Sequence, residues 1–177
     1  GEIPERAVNG QDAMRAAGGD DGGLGPVPGV GPVFLPLANH VVVFLRAADA
    51  GVGAVVAFVG TVRDRSDGAG VSQMELEHYP GMTEGAIEAM IDQALARFDI
   101  RAARVIHRVG PLQPSDQIVL VLVTSAHRGE AFQACEFLMD YLKTQAPFWK
   151  KETTPEGARW VDARVSDDAA LARWGIV

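Results

Sequence analysis

The stretch Gln73-Met-Glu-Leu-Glu-His-Tyr-Pro-Gly-Met-Thr-Glu-Gly-Ala-Ile-Glu-Ala-Met-Ile-Asp-Gln-Ala-Leu-Ala-Arg-Phe98 changes its hydrophobic period partway along. From Gln73 to Tyr79 it alternates. Met74, Leu76 and His78 fall on one side and Glu75, Glu77 and Tyr79 on the other, as in a half-buried strand. Pro80-Gly81 closes the strand, and Thr83 can cap a helix. Beyond it Ile87, Met90, Ile91, Ala94, Leu95 and Phe98 recur at intervals of three and four, the stripe of an amphipathic helix. A strand that turns straight into a helix sets the fold class.

The same alternation of elements continues on the C-terminal side. Arg104 to Val109 reads as a short strand, Gly110 to Ser115 as a turn, and Gln117 to Thr124 as an apolar strand buried on both faces. Ser125 opens a second helix, Ala126 to about Gln145, with Ala131, Cys135, Leu138 and Leu142 as its core stripe and Pro147 as its stop. Trp160 to Val165 reads as a last strand and Asp167 to Trp174 as a terminal helix. On the N-terminal side, Ala54 to Arg63 is rich in β-formers, Ser66 to Gly70 is a loop, and Val41 to Leu45 fits a strand or a short buried helix. Residues 1–32 form a flexible extension rich in Gly and Pro, in which only Ala13 to Ala17 offers a helical turn; a folded domain spans 33–177. Two main helices between runs of strands predict an α+β domain with a mostly antiparallel sheet.

The composition excludes several classes. With 177 residues, 47% of them hydrophobic, the chain can bury one core besides the extension. A formal net charge of −7 speaks against a general nucleic-acid or membrane-surface binder. No apolar run approaches the roughly 20 residues that span a bilayer. A single cysteine, Cys135, rules out an internal disulfide and fits a reducing cytoplasm. It stands on an apolar helix stripe, the position of a small core residue. The four histidines are scattered, so neither a metal nor a resident cofactor is expected.

The basic residues carry the chemistry. All three lysines, Lys143, Lys150 and Lys151, fall in one short segment around Pro147-Phe148-Trp149, while the other permanent cations are arginines. Lysine supplies a compact amine that can lose its proton, which guanidinium does not. Single lysines are mostly solvated surface charge; this clustering beside a rigid aromatic turn favours a site. His127-Arg128 stands where a helix follows a buried strand, a place that attracts anions, and Arg63 ends another strand. Gly51-Val-Gly53 lacks the rest of a dinucleotide-binding loop and reads as a turn. Ser125, His127 and Asp116 make only a weak hydrolase triad, because no Gly-x-Ser-x-Gly elbow is present.

Six segments then fall into place together: Phe58-Val-Gly-Thr-Val-Arg-Asp64, Leu76-Glu-His-Tyr-Pro-Gly-Met-Thr-Glu84, Ile106-His-Arg-Val-Gly110, Thr124-Ser-Ala-His-Arg128, Tyr141-Leu-Lys-Thr-Gln-Ala-Pro-Phe-Trp-Lys-Lys-Glu152 and Glu156-Gly-Ala-Arg-Trp-Val161. Over about residues 50 to 175 the chain resembles the large, catalytic subunit of molybdopterin synthase. That resemblance implies an α/β hammerhead fold and a homodimer, with one ubiquitin-like small subunit docked on each copy. It implies a sulfurtransferase of molybdenum cofactor biosynthesis. The thiocarboxylate on the small subunit's C-terminal Gly-Gly would donate sulfur, in two rounds, to cyclic pyranopterin monophosphate, making the dithiolene of molybdopterin.

By the same resemblance Lys143 and Lys150 are catalytic. The substrate pocket would be lined by Thr61, Val62, Arg63, His127, Arg128, Lys143, Lys150, Lys151, Glu152 and Arg164. Thr61 departs from relatives that carry Lys there, which removes one charge contact. The first forty residues lie outside the resemblance. Ala7-Val-Asn-Gly10 and the Gly-Gly pairs leave open a remnant of a fused small subunit, although an unrelated extension is the simpler reading of so brief a match. A different class of function also accounts for the cations: a non-catalytic module that holds a ubiquitin-like tail or a phosphorylated ligand. Only catalysis explains why lysine rather than arginine stands at 143 and 150.

Overall fold

The structure, a computed structural model, describes residues 11–16, 49–66, 69–161 and 172–175. The described elements are β1 (Gln11–Ala16), β2 (Ala54–Thr61), β3 (Arg65–Ser66), β4 (Ala69–Gly70), β5 (Gln73–His78), α1 (Met82–Arg97), β6 (Ile100–His107), β7 (Gly110–Leu112), β8 (Gln117–Ser125), α2 (Arg128–Thr144), β9 (Phe148–Thr154) and β10 (Gly157–Val161). The expected boundary near residue 33, the run Val41 to Leu45, Arg164 and most of the terminal helix lie outside the described residues.

β8 organises the molecule because it is apolar on both sides. Every residue from Val119 to Ser125 is buried. It lies inside a four-stranded sheet of order β1-β6-β8-β2, and its pairings with β2 and β6, like that of β1 with β6, are antiparallel. Val119, Val121 and Val123 face the two helices and pack with Ala103 and Val105 of β6. Ile87, Met90, Ile91 and Ala94 of α1, and Ala131, Ala134, Cys135, Phe137 and Leu138 of α2, close this core. Leu120 and Leu122, on the opposite face, are equally inaccessible. A second sheet of order β10-β9-β5-β7 holds a smaller core of Val62, Met74, Leu76 and Leu112, with Ile118 packed against it.

The α+β architecture with two helices and antiparallel pairing is the one the sequence predicts. Several local expectations need correction. The helical turn offered at Ala13 to Ala17 is replaced, over its described part, by an edge strand, Gln11–Ala16, against Ala102–His107. β6 begins at Ile100 rather than Arg104. Gly110–Leu112, read as part of a turn, pairs with β5. Trp160–Val165 was expected as a strand; the hairpin partner of β9 is Gly157–Val161. β9 itself went unread because its inward face carries Lys150, Glu152 and Thr154 rather than apolar residues, so no hydrophobic alternation marks it. Thr83 is not the cap of α1. Gly81 is, at φ 82°, and Glu84 Oε2 accepts its N–H at 2.7 Å. Among the described residues no helix is long and apolar enough to cross a membrane.

Candidate active site

The first group of expected residues sits where β8 gives way to α2. Ser125 ends the strand, buried; its hydroxyl donates to the Asp99 carbonyl at 2.7 Å and accepts the His127 N–H at 3.2 Å. The cap of α2 is therefore His127, not Ser125. Among the described residues no side chain caps the open N–H groups of the first turn, which together with the helix dipole leaves a positive end. Gly53, Ala54, Ala126, His127, Arg128 and Gly129 line a surface depression of ≈ 490 Å³ here. Gly53 has to be glycine, because a Cβ would meet the Ala126 carbonyl oxygen at 2.4 Å. The hydrolase triad does not form. Asp116 stands at the far end of β8 from Ser125, and its carboxylate accepts the Gln113 N–H at 2.8 Å.

The second group gathers at the other end of the sheet. Register shifts between Gly60 and Thr61, and β2 ends. Val62 turns into the small core, 3% exposed; its N–H donates to the Asp116 carbonyl and its own carbonyl accepts the Ser115 N–H, both at 2.8 Å. Expected as a pocket residue, Val62 has neither side chain nor backbone left for a ligand. It anchors the exposed Thr61 and Arg63 on either side.

Lys143 lies on the last turn of α2, exposed, and forms no ion pair among the described residues. Glu136 and Asp140, the acidic neighbours two turns and one turn before it, are engaged by Arg173 at 3.0 and 2.7 Å. After Pro147 the chain enters β9, whose alternation separates the other two lysines. Lys150 shares a face with Glu152 and reaches its Oε1 at 3.0 Å. Lys151 points the opposite way, 4.0 Å from Glu75 and over the Trp160 ring at 5.5 Å.

Glu152 is only 2% exposed. Burial alone would raise its pKa. The hydrogen bond from Lys150, the neighbouring Ser66 hydroxyl and the charges of Lys150 and Arg159 outweigh burial and hold the carboxyl below its usual range. Arg159 closes the far side at 3.6 Å. Sequence reasoning passed over Arg159. Its signal was the turn Pro155-Glu-Gly157, with Gly157 at φ 122°, which sets Arg159 directly across the hairpin from Glu152. Cys135, on the core stripe of α2, is a poor nucleophile: burial, aided by Glu136, pushes its thiol up to about 11.

Within one copy the two groups do not meet. β2 has 8 residues and α2 has 17, so at about 3.3 Å and 1.5 Å per residue either element carries the chain roughly 25 Å from one group to the other. Ala54 pairs with Ser125 at the His127 end, and Thr61 with Gln117 at the lysine end.

The sequence and the fold both have counterparts. The model of the family described as MoaE protein matches residues 36–145. The molybdopterin synthase catalytic subunit of Ralstonia nicotianae is 68% identical over 133 residues, 75% of this chain and 76% of that protein. The subunit of the same name from Escherichia coli is 57% identical over 122 residues, 69% of this chain and 81% of that protein. Among solved structures, the molybdopterin biosynthesis MoaE protein of Burkholderia ambifaria superposes with a TM-score of 0.67 at 58% identity, covering 79% of this chain and 92% of its own. The molybdopterin synthase of Staphylococcus aureus gives 0.67 at 26% identity, covering 91% and 99%. Family model, similar relatives and shared architecture agree, and the chain belongs to the MoaE family.

Proposed function

We propose that the chain is the catalytic subunit of molybdopterin synthase. It converts cyclic pyranopterin monophosphate to molybdopterin with sulfur from the C-terminal thiocarboxylate of a ubiquitin-like small subunit, in the cytoplasm. The observation that carries this reading is the lysine arrangement, in which Lys150 is held by a buried carboxylate while Lys143, on the adjoining helix end, has no ionic partner among the described residues. The substrate phosphate and the thiocarboxylate are both anions and need fixed cations. Lys150, paired with Glu152, serves as such a cation. Lys143 is the amine free to exchange a proton with the opening ring or to capture the acyl group of the tail. A module that only binds would not need an amine there, and catalysis is the better reading.

His127 and Arg128 enter the same site from a second copy. A homodimer related by a two-fold axis can set the His127 end of one copy against the lysine end of the other, making two equivalent sites from four half-sites. This places the phosphate on the α2 N-terminus and Arg128 of one copy, with the reacting ring near Lys143 of its partner. The test is conversion of the cyclic precursor by the purified chain given thiocarboxylated small subunit. Dithiolene formation that is lost in Lys143→Ala supports the reading; wild-type turnover in that variant refutes it.

A further inference from the structure

Two of the six motifs, Leu76 to Glu84 and Ile106 to Gly110, contribute no cation to the site described above, yet their side chains converge on the turn that joins its lysines. Between Lys143 and Lys150 the chain reverses at Ala146-Pro147-Phe148, where the Phe148 N–H donates to the Ala146 carbonyl at 2.8 Å. Such a three-residue turn closes only one hydrogen bond of its own and takes its rigidity from its surroundings.

Two side chains supply it. Thr83, in the first turn of α1 and 0% exposed, donates its hydroxyl proton to the Pro147 carbonyl at 3.1 Å and accepts the Tyr79 N–H at 3.0 Å. One buried hydroxyl thus ties β5, α1 and the turn together. On the other side the His107 ring lies flat against Phe148, centroids 4.0 Å apart and planes 18° from parallel. That ring is itself fixed. Its Nδ1–H donates to the Arg108 carbonyl at 2.9 Å, while Arg108 is tied to β8 by its N–H to Ile118 at 2.8 Å and its guanidinium to Gln117 at 3.0 Å.

We propose that Thr83 and His107 are positioning residues for the sulfur-transfer reaction, clamping the Pro147–Phe148 turn from two sides and so fixing Lys143 relative to Lys150. The inference rests on the reading that these lysines carry the chemistry. It gives both motifs a role without contact to substrate. The hydroxyl matters as a donor and the imidazole as a flat ring, so each has a variant that keeps the function and one that removes it.

The experiment measures kcat and KM for the precursor with thiocarboxylated small subunit, small-subunit affinity, and amide exchange at Phe148 and Trp149. Thr83→Val and His107→Ala are expected to lower kcat about tenfold or more, with KM and small-subunit affinity within about twofold, because a displacement near 1 Å is enough for such losses. Amide exchange at the turn accelerates in both. Thr83→Ser and His107→Phe restore kcat to within about threefold of wild type. Should Thr83→Val not fold, the two His107 variants carry the same comparison. Unchanged kcat despite faster exchange at the turn overturns the proposal, as does equal loss in the conservative and disruptive variants, or loss through KM alone. Lys143→Ala and Lys150→Ala run alongside. If both retain wild-type kcat, the assignment of the lysines has failed; if they are inactive while Thr83→Val and His107→Ala are not, only the clamp has.

Discussion

At Lys143 the question is whether the reaction uses a charge or an amine. Arginine keeps the charge and stays protonated at any accessible pH. Lys143→Arg is therefore expected to fold and to bind the small subunit, yet to lose dithiolene formation by about a hundredfold or more, as badly as Lys143→Ala. Substantial activity in the Arg variant would mean that Lys143 acts only as a cation. Arg128 poses the opposite case. It is exposed and stands at the open end of α2, where it can offer a phosphate two parallel hydrogen bonds. Arg128→Ala should weaken precursor binding about ten- to a hundredfold, the equivalent of roughly 1.5–3 kcal/mol, with kcat at saturation much less affected. Titration calorimetry with the precursor measures this directly, and unchanged affinity would shift the phosphate towards Arg63.

Among elements, the junction of β2 with the β8–α2 link tolerates least change. Gly53→Ala drives a methyl into the Ala126 carbonyl, which is backbone and cannot rotate away. A loss of about 1–3 kcal/mol in denaturant unfolding is expected, with weakened precursor binding because His127 and Arg128 follow directly. The end of β6 gives a pH signature. Burial pulls His107 down to about 4 from its usual 6.5; its hydrogen bond to the Arg108 carbonyl opposes this, and nearby His78 adds to it. The folded ring thus stays neutral where the unfolded one takes a proton. Stability present above pH 6.5 is lost as pH falls towards 4, by up to about 3 kcal/mol at the lower limit. His107→Phe should flatten the unfolding free energy across that window; an unchanged slope would assign the loss to other groups.

The elements also show how far the sequence could be read. The strand–turn–helix of β5 and α1, the doubly buried β8 and the stripe of α2 were legible because apolar spacing alone defines them. β9 was not, since its inward positions hold an ion pair whose logic appears only once Arg159 faces Glu152 across the hairpin. The candidate site residues could be proposed from their motifs, but where the fold groups them could not. Lys150 and Lys151 are neighbours in sequence and part company because a strand sends adjacent side chains to opposite faces. Thr83 was visible only as a helix starter, because the carbonyl it holds lies 64 positions away.

For the whole molecule, the separation of the two cation groups makes a sharp demand on assembly. Lys143→Ala and Arg128→Ala are each expected to be impaired alone. Mixed under conditions that exchange subunits, half the dimers become hybrids, and each hybrid holds one site with both residues intact. Activity should then reach about a quarter of the wild-type value under precursor concentrations that do not saturate the Arg128 variant. No recovery on mixing would show that each site is built within one copy.

The same roughly 25 Å along β2 and α2 also bears on how the enzyme responds to its own abundance. If a site exists only between two copies, its concentration follows the dimer rather than the chain. Diluted below the dimer dissociation constant, turnover per chain ceases to be constant and total activity falls with the square of the protein present. A cell that halves its supply of this subunit near that threshold loses closer to three-quarters of its capacity.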